Sequence, residues 1–327
     1  MLAAWYEKIG PAREVLQAGE MAEPGVGRGE VRVRVYASGV NPSDTKRRSG
    51  STEGMSFPRI IPHSDGAGII DQVGPGVEES RVGERVWTYN ARWQRPFGTA
   101  AQFVVVPTQQ AVHLPDCVSF AEGACLAIPA MTAHRCVFVD GPVRRKTVLV
   151  TGGAGCVGHY AVQFAKWGGA TVIATVSSEK KAAHARAAGS DYTINYKTED
   201  VAQRIKELTK GEGVDRIVEV DFGKNLPVSL AIIKNGGVIA AYSSTGNPEP
   251  KLPFSAFMRL NTTIRLVLVY SMAEEAKAQA CNDIVRLLEE GRLINAIAMR
   301  FPLQEIAAAH EAVEGGAYMG KIVIDLD

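Results

Sequence analysis

The chain reads Thr147-Val148-Leu149-Val150-Thr151-Gly152-Gly153-Ala154-Gly155-Cys156-Val157-Gly158, an apolar run entering a glycine turn. The G-x-G-x-x-G spacing at Gly153, Gly155 and Gly158 follows a strand and opens a helix, the context in which such glycines bind a dinucleotide. In that pattern Gly153 permits the tight turn, Gly155 lets the backbone approach a pyrophosphate, and Gly158 lets the helix pack closely on the strand. Backbone N–H groups through Ala154, Cys156 and Val157, together with the positive end of the helix dipole, then face the phosphates. A nucleotide-triphosphate loop is excluded, because His159 and Tyr160 follow Gly158 where Lys and Ser/Thr are needed. Cys156 stands at a helix N-terminus, a setting in which thiols can become reactive, although a small apolar filler is the plainer use of the position.

The second strand selects the dinucleotide. An NAD site places Asp or Glu at its tip to accept from the ribose 2′-OH. Here the strand ends Ala174-Thr175-Val176-Ser177-Ser178, with Lys180 and Lys181 following. The Ser177 hydroxyl and the Lys181 ammonium suit a 2′-phosphate that a carboxylate would repel, so the expected cofactor is NADPH. The plainer use of these lysines is a solvated helix face.

The elements that carry these residues alternate strand and helix from Thr147 onward. Strands are expected at Thr147 to Thr151, Thr171 to Val176, Tyr192 to Asn195, Asp215 to Val220, Val238 to Tyr242 and Ile264 to Val269. Between them lie helical spacings such as Val157 to Trp167, with Val157, Ala161, Phe164 and Ala165 on one face. That is a Rossmann-type doubly wound parallel six-stranded sheet in an α/β protein. The preceding residues read as a β-rich unit, with strands at Glu30 to Tyr36, Gly66 to Val73, Arg85 to Trp87 and Phe103 to Val106. After a helical stretch at Ala273 to Glu290, the tail ends in the apolar strand Lys321 to Leu326 and is expected to return to the first domain. The expected domains are residues 1–124, 125–268 and a return over 269–327.

Composition narrows the function. The 327 residues are 46% hydrophobic and carry 36 Lys+Arg against 35 Asp+Glu, without the basic excess of a protein held on phosphate backbones. Nucleic acid is therefore not an expected main partner. No run approaches the roughly 20 apolar residues of a membrane helix. The start Met1-Leu2-Ala3-Ala4-Trp5-Tyr6-Glu7 lacks a signal-peptide core. The five cysteines have no C-x-x-C pair, which fits reduced thiols and a cytoplasmic location.

With Ser38-Gly39-Val40-Asn41-Pro42-Ser43-Asp44-Thr45, Asp65-Gly66-Ala67-Gly68, Val82-Gly83-Glu84-Arg85-Val86, Ile128-Pro129-Ala130-Met131-Thr132-Ala133 and the tail Ala308 to Asp327, the chain resembles the quinone oxidoreductase and zeta-crystallin branch of the medium-chain dehydrogenase/reductases almost end to end. The resemblance implies a GroES-like catalytic domain completed by the tail, a central cofactor domain and a cleft between them. It implies that Lys181 and Tyr196 lie beside the 2′-phosphate, that Tyr242 and Lys321 join the cofactor set, and that Asn41 and Thr132 line the nicotinamide end as catalytic residues. Asn41 before Pro42 is also suited simply to hold that turn. His63 stands where relatives often have Gly, which is expected to alter the mouth of the site.

In zinc-dependent relatives Cys stands at the place of Asn41 and His at that of Ser64. Neither residue here offers a thiolate or imidazole, and no Cys lies between Trp87 and Asp116, so no metal is expected. The remaining histidines, among them His310, show no nucleophile arrangement in sequence. The implied activity is zinc-free NADPH-dependent reduction of quinones. The alternatives are reduction of the C=C bond of α,β-unsaturated aldehydes or ketones, and a non-catalytic NADPH-binding role in redox sensing or RNA binding. A homodimer is expected through the apolar edge Thr262 to Tyr270.

Overall fold

The computed structural model describes residues 1–52 and 54–326. Glu53 and Asp327, which fall within the expected domain spans and tail, lie outside the described residues. The chain forms two compact units, Met1–Ile128 with the segment from Cys281 onward, and Pro129–Ala280.

The first unit begins with β1 (Leu2–Trp5), β2 (Gln17–Glu20), β3 (Glu30–Val40), β4 (Asp65–Val73), β5 (Arg85–Thr88), β6 (Phe103–Pro107) and β7 (Ala111–His113). β1 and β2 make a small antiparallel sheet of their own. Along β3, Val31, Val33 and Val35 are buried while Arg34 is exposed, the period of a strand with one covered face. From Ala37 to Val40 every residue is buried. Alternation therefore stops before the strand does, and the expected end at Tyr36 falls short. A Cβ on Gly39 would lie 2.1 Å from the Ala124 carbonyl oxygen and 2.7 Å from Lys321 Cε, so only glycine lets neighbours close over the strand there.

In the second unit are β8 (Thr147–Val150), β9 (Thr171–Val176), β10 (Tyr192–Asn195), β11 (Val214–Glu219), β12 (Ile233–Ala241) and β13 (Thr263–Leu266). They pair in parallel in the order β10-β9-β8-β11-β12-β13. This is the doubly wound order whose reversal, beside β8, opens a crevice at the strands' carboxyl ends. β12 starts earlier than expected because Ile233 pairs with Val214 across a register irregularity. The Asn235-Gly236-Gly237 segment lies inside the strand, with Gly236 at φ +71. The helix Cys156–Trp167 is buried continuously from Gly158 to Ala165 rather than on one face. Its second side is covered by the helix Ala127–Phe138, whose His134 and Phe138 rings pack on Phe164 and Trp167.

The segment from Cys281 closes the first unit through β14 (Ile297–Pro302), the helix Ile306–Gly315 and β15 (Lys321–Asp325). β15 lies between β14, to which it is parallel, and β3, to which it is antiparallel. Ile322, Val323 and Ile324 are fully buried there. Among the described residues no helix is long and apolar enough to cross a membrane.

Candidate active site

β8 delivers the chain into the glycine turn. The left-handed residue is Gly152, at φ +66, so the tight turn is made one residue before the glycine to which sequence spacing assigns it. Gly153 serves packing instead, since a Cβ there would come within 2.7 Å of Ala174 Cβ on β9. A Cβ on Gly158 would lie 2.2 Å from the Gly152 carbonyl oxygen, which is why the helix closes on the turn only with glycine. Gly155 differs from both. A Cβ there would meet nothing nearer than Gly152 O at 3.4 Å, so packing does not demand glycine and the space beside it is open. Gly155 is the N-cap of the helix and supplies no side chain. The N–H groups of Cys156, Val157 and Gly158 begin a helix, where no preceding turn can satisfy them. With Ala154, they fit a pyrophosphate.

The end of β8 is tied to β11 by a residue that sequence reasoning missed. Thr151 Oγ1 donates to Glu219 Oε1 at 2.9 Å, and that oxygen also accepts from the Asp221 N–H and the Asn225 amide, each at 2.7 Å. Burial pushes the Glu219 carboxyl up. Only its place at a strand's carboxyl end marks it in sequence.

At the tip of β9, Ser178 caps the helix Glu179–Ala187 by accepting from the Lys181 N–H at 3.3 Å. The nearest acid, Glu179, is paired with Arg186. The Tyr196 N–H donates to the Val176 carbonyl at 3.1 Å, and its side chain is exposed. Ser177, Lys181 and Tyr196 therefore stand at the carboxyl ends of neighbouring strands, with no free carboxylate on that tip. Tyr242 lines a cavity of about 410 Å³ at the carboxyl ends of β12 and β13, with Phe222, Ser243, Leu252, Val267 and Leu268. Burial raises the Tyr242 phenol well above its ordinary value, so it is neutral and able to donate. Thr132 is buried in the helix Ala127–Phe138 of the same unit.

Asn41 and Lys321 belong to the first unit, where the structure brings them together. Asn41 is the N-cap of the helix Pro42–Ser49 and forms a capping box with Asp44, whose carboxylate accepts from the Asn41 N–H at 2.9 Å. Its side chain also reaches Asp65 and Lys321. Nδ2 donates to Asp65 Oδ2 at 2.9 Å, and Lys321 Nζ donates to Asn41 Oδ1 at 2.5 Å and to Asp65 Oδ2 at 2.7 Å. The Ile128 N–H donates to Asp65 Oδ1 at 3.2 Å. Burial pushes the Asp65 carboxyl up, while Lys321 and Asn41 pull it back. With donors on both oxygens, the group is a carboxylate.

His63 is not at a mouth. It is fully buried and left-handed, at φ +75, a conformation that explains why glycine would serve its place. It also has partners that the sequence conceals. Nε2 lies 2.9 Å from His310 Nε2, and Nδ1 lies 2.9 Å from Ser38 Oγ. The protons follow in order along the chain of contacts. Thr99 donates to the Asp65 carbonyl at 2.6 Å, so Ser38 must donate to Thr99, at 2.7 Å. Ser38 then accepts from His63 Nδ1–H, and His63 Nε2 accepts from His310 Nε2–H. Ser38 is completely buried, so its contact with His63 is no nucleophile site. Burial drives His63 down to about 3 and His310 well below its ordinary value. Among the described residues no group of three or more His, Cys, Asp or Glu side chains could hold a metal ion.

Residues 27–116 match the alcohol dehydrogenase GroES-like domain, and residues 156–286 match the zinc-binding dehydrogenase family. A 2-haloacrylate reductase of Burkholderia sp is 34% identical over 99% of this chain and 98% of the relative. A quinone oxidoreductase of Rattus norvegicus is 30% identical over 98% of this chain and 95% of the relative. The crystal structure of Escherichia coli quinone oxidoreductase complexed with NADPH superposes with a TM-score of 0.88 at 26% identity, covering 100% of both chains.

Proposed function

Since the chain belongs to the quinone oxidoreductase branch of the medium-chain dehydrogenase/reductases, we propose that this oxidoreductase uses NADPH to reduce quinones without zinc, as a cytoplasmic homodimer. The observation that carries the cofactor reading is the open space beside Gly155, combined with a β9 tip that has Ser177 and Lys181 but no free acid. When bound, NADPH supplies the hydride. The protein's part is to bind the dinucleotide at Gly152–Gly158 and to orient the acceptor. Asn41 donates a hydrogen bond to the acceptor oxygen as negative charge develops on it, a contribution that needs no titrating side chain. Thr132 and Tyr242, in the second unit, are assigned to the nicotinamide end.

A second reading, reduction of an activated C=C bond, is favoured by the 34% identity to a 2-haloacrylate reductase. Steady-state oxidation of NADPH in the presence of quinones, enones and 2-haloacrylates separates the readings. Turnover with quinones is expected. Turnover confined to the unsaturated acids or ketones moves the assignment to C=C reduction, and no turnover with any acceptor leaves a non-catalytic NADPH-binding protein.

Lys181→Ala is expected to weaken NADPH by about ten-fold, the loss of one charge-assisted contact, and to leave NADH binding unchanged. Calorimetric titration of both cofactors checks this, and an equal loss for both would remove Lys181 from the 2′-phosphate. The homodimer is supported by β13, an edge strand flanked by exposed Leu266 and Leu268. Light scattering should give about twice 35.1 kDa. A monomer at micromolar concentration overturns it.

A further inference from the structure

The family resemblance groups Lys321 with the cofactor, yet its side chain runs to Asn41 and Asp65. An ammonium only donates, so the Asn41 atom at 2.5 Å from Nζ must be the amide oxygen. A carboxylate only accepts, so the Asn41 atom at 2.9 Å from Asp65 Oδ2 must be the amide nitrogen. Turning the amide over would set N–H against ammonium and C=O against carboxylate. In this buried site that double mismatch is far costlier than in water. The ammonium on Oδ1 also polarises the amide and makes its N–H a stronger donor. The backbone is shaped for the arrangement. Gly39 lies opposite Val323 across the β3–β15 pair, and a Cβ there would crowd Lys321 Cε at 2.7 Å.

We propose that Lys321 is a positioning residue. Together with Asp65 it locks the Asn41 amide so that its second Nδ2 hydrogen is always presented to the acceptor oxygen, and it does not hold the cofactor phosphates. The proposal rests on the assignment of Asn41 as the acceptor's donor.

The test compares Lys321→Met, the double variant Lys321→Met/Asp65→Asn and Asn41→Ala, using NADPH and the quinone that the wild-type protein turns over. The double variant removes both charges together, so no lone carboxylate is left buried and the fold is kept. Melting curves confirm that each protein is folded. Fluorescence titration of NADPH should give a Kd within about two-fold of wild type for the double variant, while kcat falls by about ten-fold and KM for the quinone stays put. A Kd for NADPH raised about ten-fold with kcat retained would return Lys321 to the phosphates and overturn the proposal. Unchanged kcat in the double variant, alongside slow turnover in Asn41→Ala, sinks the lock but spares the role of Asn41. Full turnover in Asn41→Ala sinks both.

Discussion

Asn41→Ala should lower quinone-dependent kcat by about 10²-fold while NADPH binding and the KM for the quinone change little. The loss is confined to turnover because a hydrogen bond to the acceptor oxygen strengthens as charge builds there, whereas the neutral ground state gains little from it. Alanine also removes half of the capping box with Asp44 and leaves Lys321 and Asp65 short of a partner. Its melting temperature should therefore fall too, by the equivalent of about 1–2 kcal/mol. Asn41→Ser separates the two effects. Serine caps a helix as well as asparagine does, but its shorter side chain lacks the amide held by Asp65 and Lys321. Stability should return in the serine variant and turnover should not. Recovery of both together would reduce Asn41 to a turn residue.

Between pH 6.5 and 5 the wild-type protein should lose about 3 kcal/mol of stability through one pair of side chains. Folded His63 stays neutral down to about 3, and His310 titrates well below its ordinary value. In the unfolded chain both take up protons near 6.5. Below 6.5 the unfolded state thus binds more protons, and stability falls as the pH drops toward the folded values. The slope for each histidine grows from about 0.7 kcal/mol per pH unit at 6.5, where the unfolded imidazole is half protonated, toward about 1.4 below it, hence roughly 1.6 kcal/mol each over that interval. Asp44 and the other carboxyls that burial pushes up, Asp65 and Glu219, form a background of the opposite sign. The matching experiment subtracts it: urea unfolding against pH for wild type and for His63→Gly/His310→Leu. Glycine suits the φ of +75 at residue 63, and leucine removes an imidazole whose Nδ1 is buried without a partner among the described residues. The double variant should lack this loss, and the difference between the two profiles should carry the slope of the pair. An identical slope in the two proteins would mean that the histidines are charged in the fold.

Strands β8 and β9 could be read from sequence because parallel strands covered on both faces are short apolar runs bounded by turn residues. The glycine turn could be placed by its spacing. Which glycine is left-handed could not, since Gly152 and Gly153 are equally permissive and the choice is made by contact with Ala174. The last residues of β3 were illegible because Ser38 and Gly39 look like a turn, yet they are enclosed by β15 and Ala124. The acid-free tip of β9 was legible as a gap in a familiar pattern. The links of His63 to His310, 247 residues apart, and of Asn41 to Lys321, 280 apart, leave no local trace. Lys321 is expected beside the cofactor, and only tertiary pairing shows it beside a carboxylate.

The placement of β15 between β14 and β3 has a consequence for how the chain is made. During synthesis β3 emerges nearly 300 residues before its neighbour β15, and the whole of Pro129–Ala280 is translated between them. The contiguous second unit has every strand of its sheet while still tethered to the ribosome. The first unit must wait with an open seam for a strand that is translated only after the whole second unit. A premature stop before Lys321 would delete an interior strand together with the ammonium beside Asn41, so one truncation would open the sheet and unpair the Asn41 amide at once.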